Sequence, residues 1–314
     1  MKKLGDSLPD LPPPPKISPT TRRLIEASAH LADGEPDELT FQHTVLCQTA
    51  LPYRRTPDRV WERQQGAVFL QLQAGSLLDP HEEVFVDQPL PFGEKARLVM
   101  MHLNAEALRQ GSATIEVADS MTAFVRDLLH RPPNARELNT VRAQLNALAG
   151  STIRLGMIQD GHAIQAQGSV VSALDLWYPA EPGQRVLWGS SIRLSEEYFA
   201  SLTRHAVPLA MDAVRALSHS AMALDVYTWL AQRLHRVSPR KPVFIPWPAV
   251  HEQFGHGYKR IRAFREFFQK VAKQVLVVYP DAKIDVDGRG VTLRHSPPPI
   301  AQRSPSSGRR TLNF

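Results

Sequence analysis

The chain is nearly free of cysteine: Cys47 is the one cysteine in 314 residues, which excludes an intrachain disulfide. We expect its thiol to be a small buried hydrophobe rather than a nucleophile. No apolar run approaches the ~18 residues that a membrane span needs. The first residues, MKKLGDSLPDLPPPP, lack the apolar stretch of a signal peptide. We therefore expect a soluble protein of a reducing, cytoplasmic compartment, with no membrane partner.

Sequence signatures of enzymes are also missing. No G-x-x-x-x-G-K-[S/T] loop occurs, so nothing predicts an ATPase or a helicase. No two of the twelve histidines are two positions apart, which excludes the His-x-His metal pair of rolling-circle nickases. His251 and His256 are five positions apart without a partner cysteine or acid cluster, which is typical of structural histidines rather than a metal site. Four acidic residues near a predicted turn are more typical of a solvated loop: Asp79, Glu82, Glu83 and Asp87. We expect no enzymatic activity, no metal and no cofactor.

The positive charge of the chain is concentrated in one region. The formal net charge is +6 and the pI is about 9.6. Between residues 232 and 279 ten Lys or Arg face only two acids, so this window has a surplus larger than that of the whole chain. A local positive field of this kind is typical of nucleic-acid binding.

The chain divides into a folded body between two low-complexity ends. Residues 1–40 are Pro-rich and predict a disordered, extended arm, with a short amphipathic helix over 19–31 capped by Thr20 or Thr21. Residues 297–314 predict a disordered basic tail. Hydrophobic residues make up 43% of the chain, so the body has enough apolar side chains to form hydrophobic cores.

The first half of the body, residues 41–190, reads as strands, three helices and a hairpin. Strands at 67–73 and 83–87 are predicted to pair, and helices follow over 93–109 and from the cap Ser120. Asn134 is predicted to cap a third helix that ends near residue 148. Strand patterns over 152–157 and 163–172 then surround a turn containing Asp160-Gly161.

The second half, residues 191–296, repeats this order. Ser195 is predicted to cap a helix, and further helices cover 212–217 and 220–234. A short strand over 243–245, a helix over 248–254, a long helix over 259–275 and a closing hairpin around residues 287–290 follow. Three helices followed by a two-stranded hairpin, twice over, predict an α+β fold with two winged helix-turn-helix domains in tandem.

The segment GYKRIRAFREFFQKVAKQV, residues 257–275, combines an apolar and a basic face. Ile261, Phe264, Phe268, Val271 and Val275 share one face at about 3.6 residues per turn. The preceding turn contains two glycines, as the turn of a helix-turn-helix does, and the second helix of that motif enters the major groove. We expect the following residues to contact DNA: Tyr258, Lys259, Arg260, Arg262, Arg265, Gln269, Lys270 and Lys273.

Two further elements are candidate DNA contacts. Arg289 lies between glycines at the tip of the closing hairpin, where a wing would reach the backbone or the minor groove; a solvated turn explains it equally well. The third helix of the first half exposes Arg136, Asn139 and Arg142. This face is polar but weakly charged, so it fits either auxiliary DNA contact or a protein–protein surface.

Six long runs of the chain carry a family resemblance. They are LPFGEKARLVMMHLNAEALRQGS (90–112), STIRLGM (151–157), VLWGSSIRLSEEYF (186–199), SHSAMALDVYTWLAQRLHRV (218–237), FIPWPAVHEQFGHGY (244–258) and DGRGVTLRHSPPP (287–299). These runs resemble plasmid-encoded RepA-type replication initiators, and the family is similar to the TrfA-like initiators with two winged-helix domains. The resemblance spans roughly residues 53–299.

The resemblance implies a bacterial initiator that binds repeated sequences (iterons) in double-stranded DNA at a plasmid origin and associates with plasmid or nucleoid. It implies opening of an AT-rich segment, contact with the host initiator and the replicative helicase, and autoregulation by homodimers that form through the first winged helix. The 259–273 helix is then the principal DNA reader, and no catalytic residue is implied.

Other readings stay open. A winged-helix transcriptional regulator without a replication role would present the same helix. A DNA-nicking relaxase acting through Tyr258 is a third reading, against which the missing His-x-His argues. The final residues, Arg310-Thr311-Leu312-Asn313-Phe314, loosely resemble a sliding-clamp-binding peptide, although Arg309 stands where such peptides have glutamine.

Overall fold

The computed structural model describes residues 17–34, 36, 38–79, 82–116, 120–159, 162–174 and 191–300. The structure mixes helices and sheets, which confirms the α+β class. The start of the Pro-rich arm, the Asp160-Gly161 turn and the tail with its clamp-like ending lie outside the described residues.

Helices form much of the described chain. They are α1 (Pro19–Ala32), α2 (Thr44–Gln48), α3 (Gly93–Gln110), α4 (Met121–Leu129), α5 (Ala135–Ala149), α6 (Glu196–His205), α7 (Met211–Leu217), α8 (Ala221–Arg233), α9 (Trp247–Phe254) and α10 (Ile261–Val278). The predicted caps Ser120, Asn134 and Ser195 are confirmed, because each side chain accepts a hydrogen bond from the backbone N–H three residues later. Asn134 and Glu137 form a complete capping box.

The strands are short. They are β1 (Leu39–His43), β2 (Val60–Gln65), β3 (Val68–Ala74), β4 (Ser76–Asp79), β5 (Val84–Asp87), β6 (Thr114–Glu116), β7 (Ser151–Gln159), β8 (His162–Ser169), β9 (Val171–Leu174), β10 (Ser191–Leu194), β11 (Ala206–Ala210), β12 (Val243–Pro246), β13 (Ile284–Val286) and β14 (Gly290–Leu293). They form antiparallel sheets in the orders β2-β3-β7-β8, β6-β10-β9, β12-β14-β13, β1-β11 and β4-β5.

The predicted pairing of strands 67–73 and 83–87 is wrong. Strand β3 pairs with β2 and β7, whereas β5 pairs with β4. Gly66, at φ +57°, makes the tight turn that folds β2 back onto β3. Alternating hydrophobicity identifies a strand but carries no information about its neighbour, so turn geometry decided the pairing.

Helix α1 lies inside the segment that the sequence assigned to an extended arm. Its cap is Ser18, whose hydroxyl accepts from the Thr21 N–H, rather than Thr20 or Thr21. Leu24 and Ala27 are buried, and the helix packs against α7 and α10. Residues 19–32 are therefore part of the packed body, since burial of their apolar face compensates for ordering them.

Strand pairs cross the expected limit between the halves at residue 190. Strand β10 pairs with β6 on one side and β9 on the other, and β1 pairs with β11. The buried hydrophobic residues form one continuous cluster that includes both halves. The two-domain division stays a prediction, but β10 completes a sheet of the first half.

A buried ion pair also joins the halves. Arg97 of α3 donates from Nε and Nη2 to the two carboxylate oxygens of Asp225 on α8, at 2.6 and 2.7 Å. The same guanidinium donates to the backbone carbonyls of Leu51, Pro52 and Gly93. Five hydrogen bonds from one buried side chain fix α3, α8 and the segment after α2 relative to one another.

Candidate nucleic-acid interface

The last part of the described chain has the elements of the predicted DNA reader in the predicted order. Helix α8 is followed by β12, α9, α10, β13 and β14. Strand β14 lies between β12 and β13, with antiparallel registers on both sides. The hairpin β13–β14 therefore begins directly after α10 and is tied to the strand that precedes α9.

The apolar face of α10 packs into an aromatic core. Phe264, Phe268, Val271 and Val275 are each at most 1% exposed, as the periodicity predicted. Trp247 of α9 meets the Phe264 and Phe268 rings edge-on, in the geometry that aromatic quadrupoles prefer. This packing fixes the rotation of α10 about its axis and so determines which side chains face outward.

The first turn of α10 differs from the prediction. The helix begins at Ile261, so Lys259 and Arg260 precede it, and Arg260 is its N-cap residue without a side-chain cap. Ile261 is 42% exposed and does not belong to the core. Periodicity assigns Ile261 to the apolar face of α10, but it does not show how far along the helix other residues cover that face.

The turn before α10 is held by the end of α9. The Nε2 of His251 lies 3.0 Å from the Tyr258 carbonyl oxygen, and the Tyr258 N–H donates to the Gly255 carbonyl. A Cβ on Gly255 would lie 2.6 Å from the His251 carbonyl oxygen, so a side chain has no room there. Gly257 adopts φ +88°, a conformation that favours glycine. Both predicted turn glycines therefore have a structural reason.

Basic side chains cover the outer surface of the turn and α10. We call this surface the basic face; its exposed members are Lys259, Arg260, Arg262, Lys270 and Lys273. The Arg262 side chain is 90% exposed, and its Nε lies 3.1 Å from Glu266 Oε1. An exposed pair of this kind is weak, so the Arg262 guanidinium can exchange Glu266 for a phosphate or a base edge.

Three of the predicted contacts are more enclosed. Arg265 lies over the Trp247 ring and donates to the Gly288 carbonyl at 2.8 Å, so it connects α10 to the tip of the hairpin. Gln269 and Tyr258 are half-buried. The Tyr258 ring contacts Phe264 and Phe267, and burial raises the pKa of its hydroxyl.

The hairpin tip holds Arg289 in the open. Its side chain is 84% exposed, and its backbone N–H donates to Asp287 Oδ1 at 2.7 Å. That bond and one from the Gly290 N–H lower the pKa of the Asp287 carboxyl. The tip is therefore an ordered turn, and Arg289 extends from it.

The candidate contacts of the first half lie on a separate element. Arg136, Asn139 and Arg142 are exposed on α5, which packs against α3, α4, β7 and β9. They do not share the basic face with α10. All twelve predicted DNA contacts stay predictions in their role; the structure shows that most are exposed and that Arg265 has a second, structural contact.

The candidate metal ligands lie in two places, with His251 and His256 around the end of α9 and the four acidic residues on the β4–β5 hairpin. Among the described residues no three His, Cys, Asp or Glu side chains come close enough to hold a metal ion. Asp87 pairs with Arg59, and Asp79 Oδ1 accepts from the Glu82 N–H. Cys47 is buried, and burial raises the pKa of its thiol, as expected of a small hydrophobe. No helix in the described part of the chain is long and apolar enough to cross a membrane.

Sequence reasoning missed the contribution of residues 53–63 to this region. The Trp61 and His256 rings meet edge-on with centroids 4.2 Å apart, which places β2 against the turn before α10. The Arg63 guanidinium lies 3.9 Å above the Trp61 ring. The only signal in the sequence was the run of arginines from Arg54 to Arg63, which gives no indication of a contact some 200 residues away.

The chain belongs to the family of plasmid encoded RepA proteins. A sequence model of that family matches residues 90–247, half of the chain. This match confirms the resemblance that the sequence runs indicated, and membership of a plasmid replication initiator family implies interaction with DNA. No curated protein matches the chain.

Solved structures similar to the chain include two that contain domains 2 and 3 of RctB, both at 8% sequence identity. One has a TM-score of 0.47 and covers 79% of this chain and 94% of its own; the other has a TM-score of 0.45 and covers 73% and 84%.

Proposed function

We propose that this protein is a plasmid replication initiator that binds repeated sequences at its origin through the basic face and the β13–β14 hairpin. The observation that carries the proposal is the rigidly packed α10, whose outward surface is basic and stands beside an exposed hairpin arginine. Family membership supports the replication role. The element order from α8 to β14 supports a winged-helix module, in which α10 would enter the major groove N-terminus first.

The finer steps belong to the same proposal. Origin binding would be followed by opening of an AT-rich segment and recruitment of the host initiator and replicative helicase. The protein would act in the cytoplasm, where its homodimers would repress its own gene. The exposed, weakly charged face of α5 supports a protein-contact role for the first half, because it attracts phosphate less than α10 does.

We assign no catalytic residue. A tyrosine nucleophile needs a lowered pKa or an adjacent base, whereas burial raises the pKa of Tyr258. This direction of the pKa shift does not favour the relaxase alternative, which a Tyr258→Phe variant tests: loss of replication activity with normal DNA binding would revive it. A transcriptional regulator without a replication role would use the same surface, so only experiment separates it from an initiator.

Footprinting of the purified protein on the plasmid region around its gene tests the binding. An initiator protects an array of repeats, whereas a simple repressor protects a single operator. If about six phosphates are neutralised, log affinity falls with log salt at a slope near −5. Supplying the gene in trans to a plasmid that carries only the origin tests replication; failure to maintain that plasmid despite normal DNA binding contradicts the initiator role.

A further inference from the structure

Two adjacent arginines outside the second half stand beside the basic face. Arg54 and Arg55 are exposed, and no ion pair found among the described residues uses either of them. The nearby arginines have side-chain partners: Arg59 forms an ion pair with Asp87, and Arg63 stacks on the Trp61 ring. Two adjacent guanidinium groups without an ion-pair partner attract anions, and each presents a fork of donors that matches a phosphate.

These arginines share one cleft with the start of the basic face. We call it the arginine cleft. One wall contains residues 53–56, a second contains residues 219–222 at the start of α8, and a third contains residues 256–258 and Phe267 of α10. Lys259 and Arg260 follow Tyr258 directly in the chain. Glu94 also lines the cleft, so the local surplus is two guanidinium groups against one carboxylate.

The segment that carries the arginines is held rigidly against the second half. Trp61 is 5% exposed, its Nε1 donates to the Ala50 carbonyl at 2.8 Å, and its ring meets His256. Upstream, Arg97 holds the carbonyls of Leu51 and Pro52. Since both flanks of the segment are anchored, Arg54 and Arg55 are positioned before any ligand binds, which lowers the entropic cost of contact.

The field of Arg54 reaches the turn before α10. It acts to lower the pKa of the Tyr258 hydroxyl, against the larger opposite effect of burial. A partner bound along the basic face from Lys273 towards Lys259 would therefore meet Arg54 and Arg55 next. A polyanion that extends past the N-terminus of α10 fits this arrangement better than a compact anion does.

We propose that Arg54 and Arg55 bind backbone phosphates of the DNA duplex beside the N-terminus of α10, so that both halves of the chain hold the same DNA. This inference rests on the proposed function. It adds a sequence-independent contact to the recognition surface, since phosphate contacts set position and register while base contacts determine specificity. Because β2 packs against the turn before α10, it would fix the distance between the two sets of phosphates.

The test compares two double variants of the full-length protein. Arg54→Ala/Arg55→Ala removes the proposed contact. Arg22→Ala/Arg23→Ala on α1 is the control, since it removes the same charge from two consecutive exposed arginines that do not line the cleft. Binding to a labelled duplex of the footprinted origin site is measured between 50 and 200 mM salt. Loss of two phosphate contacts reduces the salt slope by about 1.8, so the wild type loses roughly tenfold more affinity over this range than the first variant does.

The outcomes distinguish the inference from the function. Both variants should melt like the wild type, and Arg54→Lys/Arg55→Lys should retain most of the slope. If log affinity falls with log salt at the same slope for the two alanine variants, the inference is overturned. It is also overturned if Arg54→Ala/Arg55→Ala weakens binding to single-stranded DNA but not to the duplex. If the wild type shows no preference for the origin duplex over a random one, the proposed function itself fails.

Discussion

The role of an arginine in this protein depends on its surroundings rather than on its residue type. Arg97 is 1% exposed and donates to five acceptor oxygens, Arg265 lies over Trp247, and Arg262 is 90% exposed with one weak partner. The sequence analysis predicted DNA contact for both Arg262 and Arg265. Only packing distinguishes an arginine that holds the fold from one that is available to DNA.

Arg262→Ala should weaken binding to the origin site while leaving stability unchanged. Its exposed pair with Glu266 contributes little to folding, but a base contact is worth about 1–3 kcal/mol. Competition binding with origin and random duplexes checks the loss of specificity. Glu266→Gln is the matched control: it removes the competing carboxylate, so affinity should stay equal or rise. Unchanged affinity of Arg262→Ala for the origin would show that this part of the basic face does not contact a base.

His43 should make the protein less stable at mildly acidic pH. Burial, with a smaller effect of His205, lowers its pKa from 6.5 to about 3, so the folded state keeps it neutral while the unfolded state takes up a proton. Stability is then fully present above pH 6.5 and decreases as pH falls towards 3. Between pH 7 and 5 we expect a loss of about 2 kcal/mol from this group. Urea unfolding at both pH values, compared with His43→Gln, isolates it; an equal loss in the variant would contradict the assignment.

At the scale of elements, amphipathic periodicity located α10 well but not its ends. Phe264, Phe268, Val271 and Val275 form the buried stripe as expected, while Ile261 lies outside it. The caps of α4, α5 and α6 were predictable because a side-chain oxygen near three free N–H groups is a local interaction. The pairing of β3 with β7 was not, because it joins residues distant in sequence. The local hairpins β2–β3 and β4–β5 were missed because β2 and β4 were not predicted as strands.

Two adjacent phenylalanines on α10 provide a direct test of its rotation. Phe268 is fully buried, whereas Phe267 is 36% exposed beside Tyr258. Phe268→Ala should reduce the free energy of unfolding by about 3–5 kcal/mol. Phe267→Ala should cost about 1 kcal/mol or less, since it leaves no enclosed cavity. Chemical denaturation of both variants measures the difference; similar losses would mean that the helix is rotated from the described position.

At the scale of the whole molecule, the halves share one core, sheet strands and a buried ion pair. A continuous core predicts cooperative unfolding rather than two separate transitions. It also gives the arginine cleft a defined geometry, because its walls come from segments distant in sequence.

Asp225→Asn should destabilise the entire chain. The substitution leaves the Arg97 guanidinium buried without a countercharge, at a cost of about 3–5 kcal/mol. Asp285→Asn is the control, since its pair with Arg294 is exposed and contributes about 1 kcal/mol or less. Urea unfolding followed by tryptophan fluorescence checks both. A loss confined to one of two resolved transitions would contradict the shared core.

The sequence by itself determined the α+β class, most helices, the caps of α4, α5 and α6, and the concentration of charge. These follow from composition, local hydrogen bonding and periodicity, which act over a few residues. The family followed from the resemblance of long sequence runs. Only the tertiary structure decided the pairing of β3 with β7, the exposure of Ile261, the structural contact of Arg265 and the position of Arg54 and Arg55 beside α10. Such features depend on how elements pack against one another in three dimensions, and no local pattern encodes that packing.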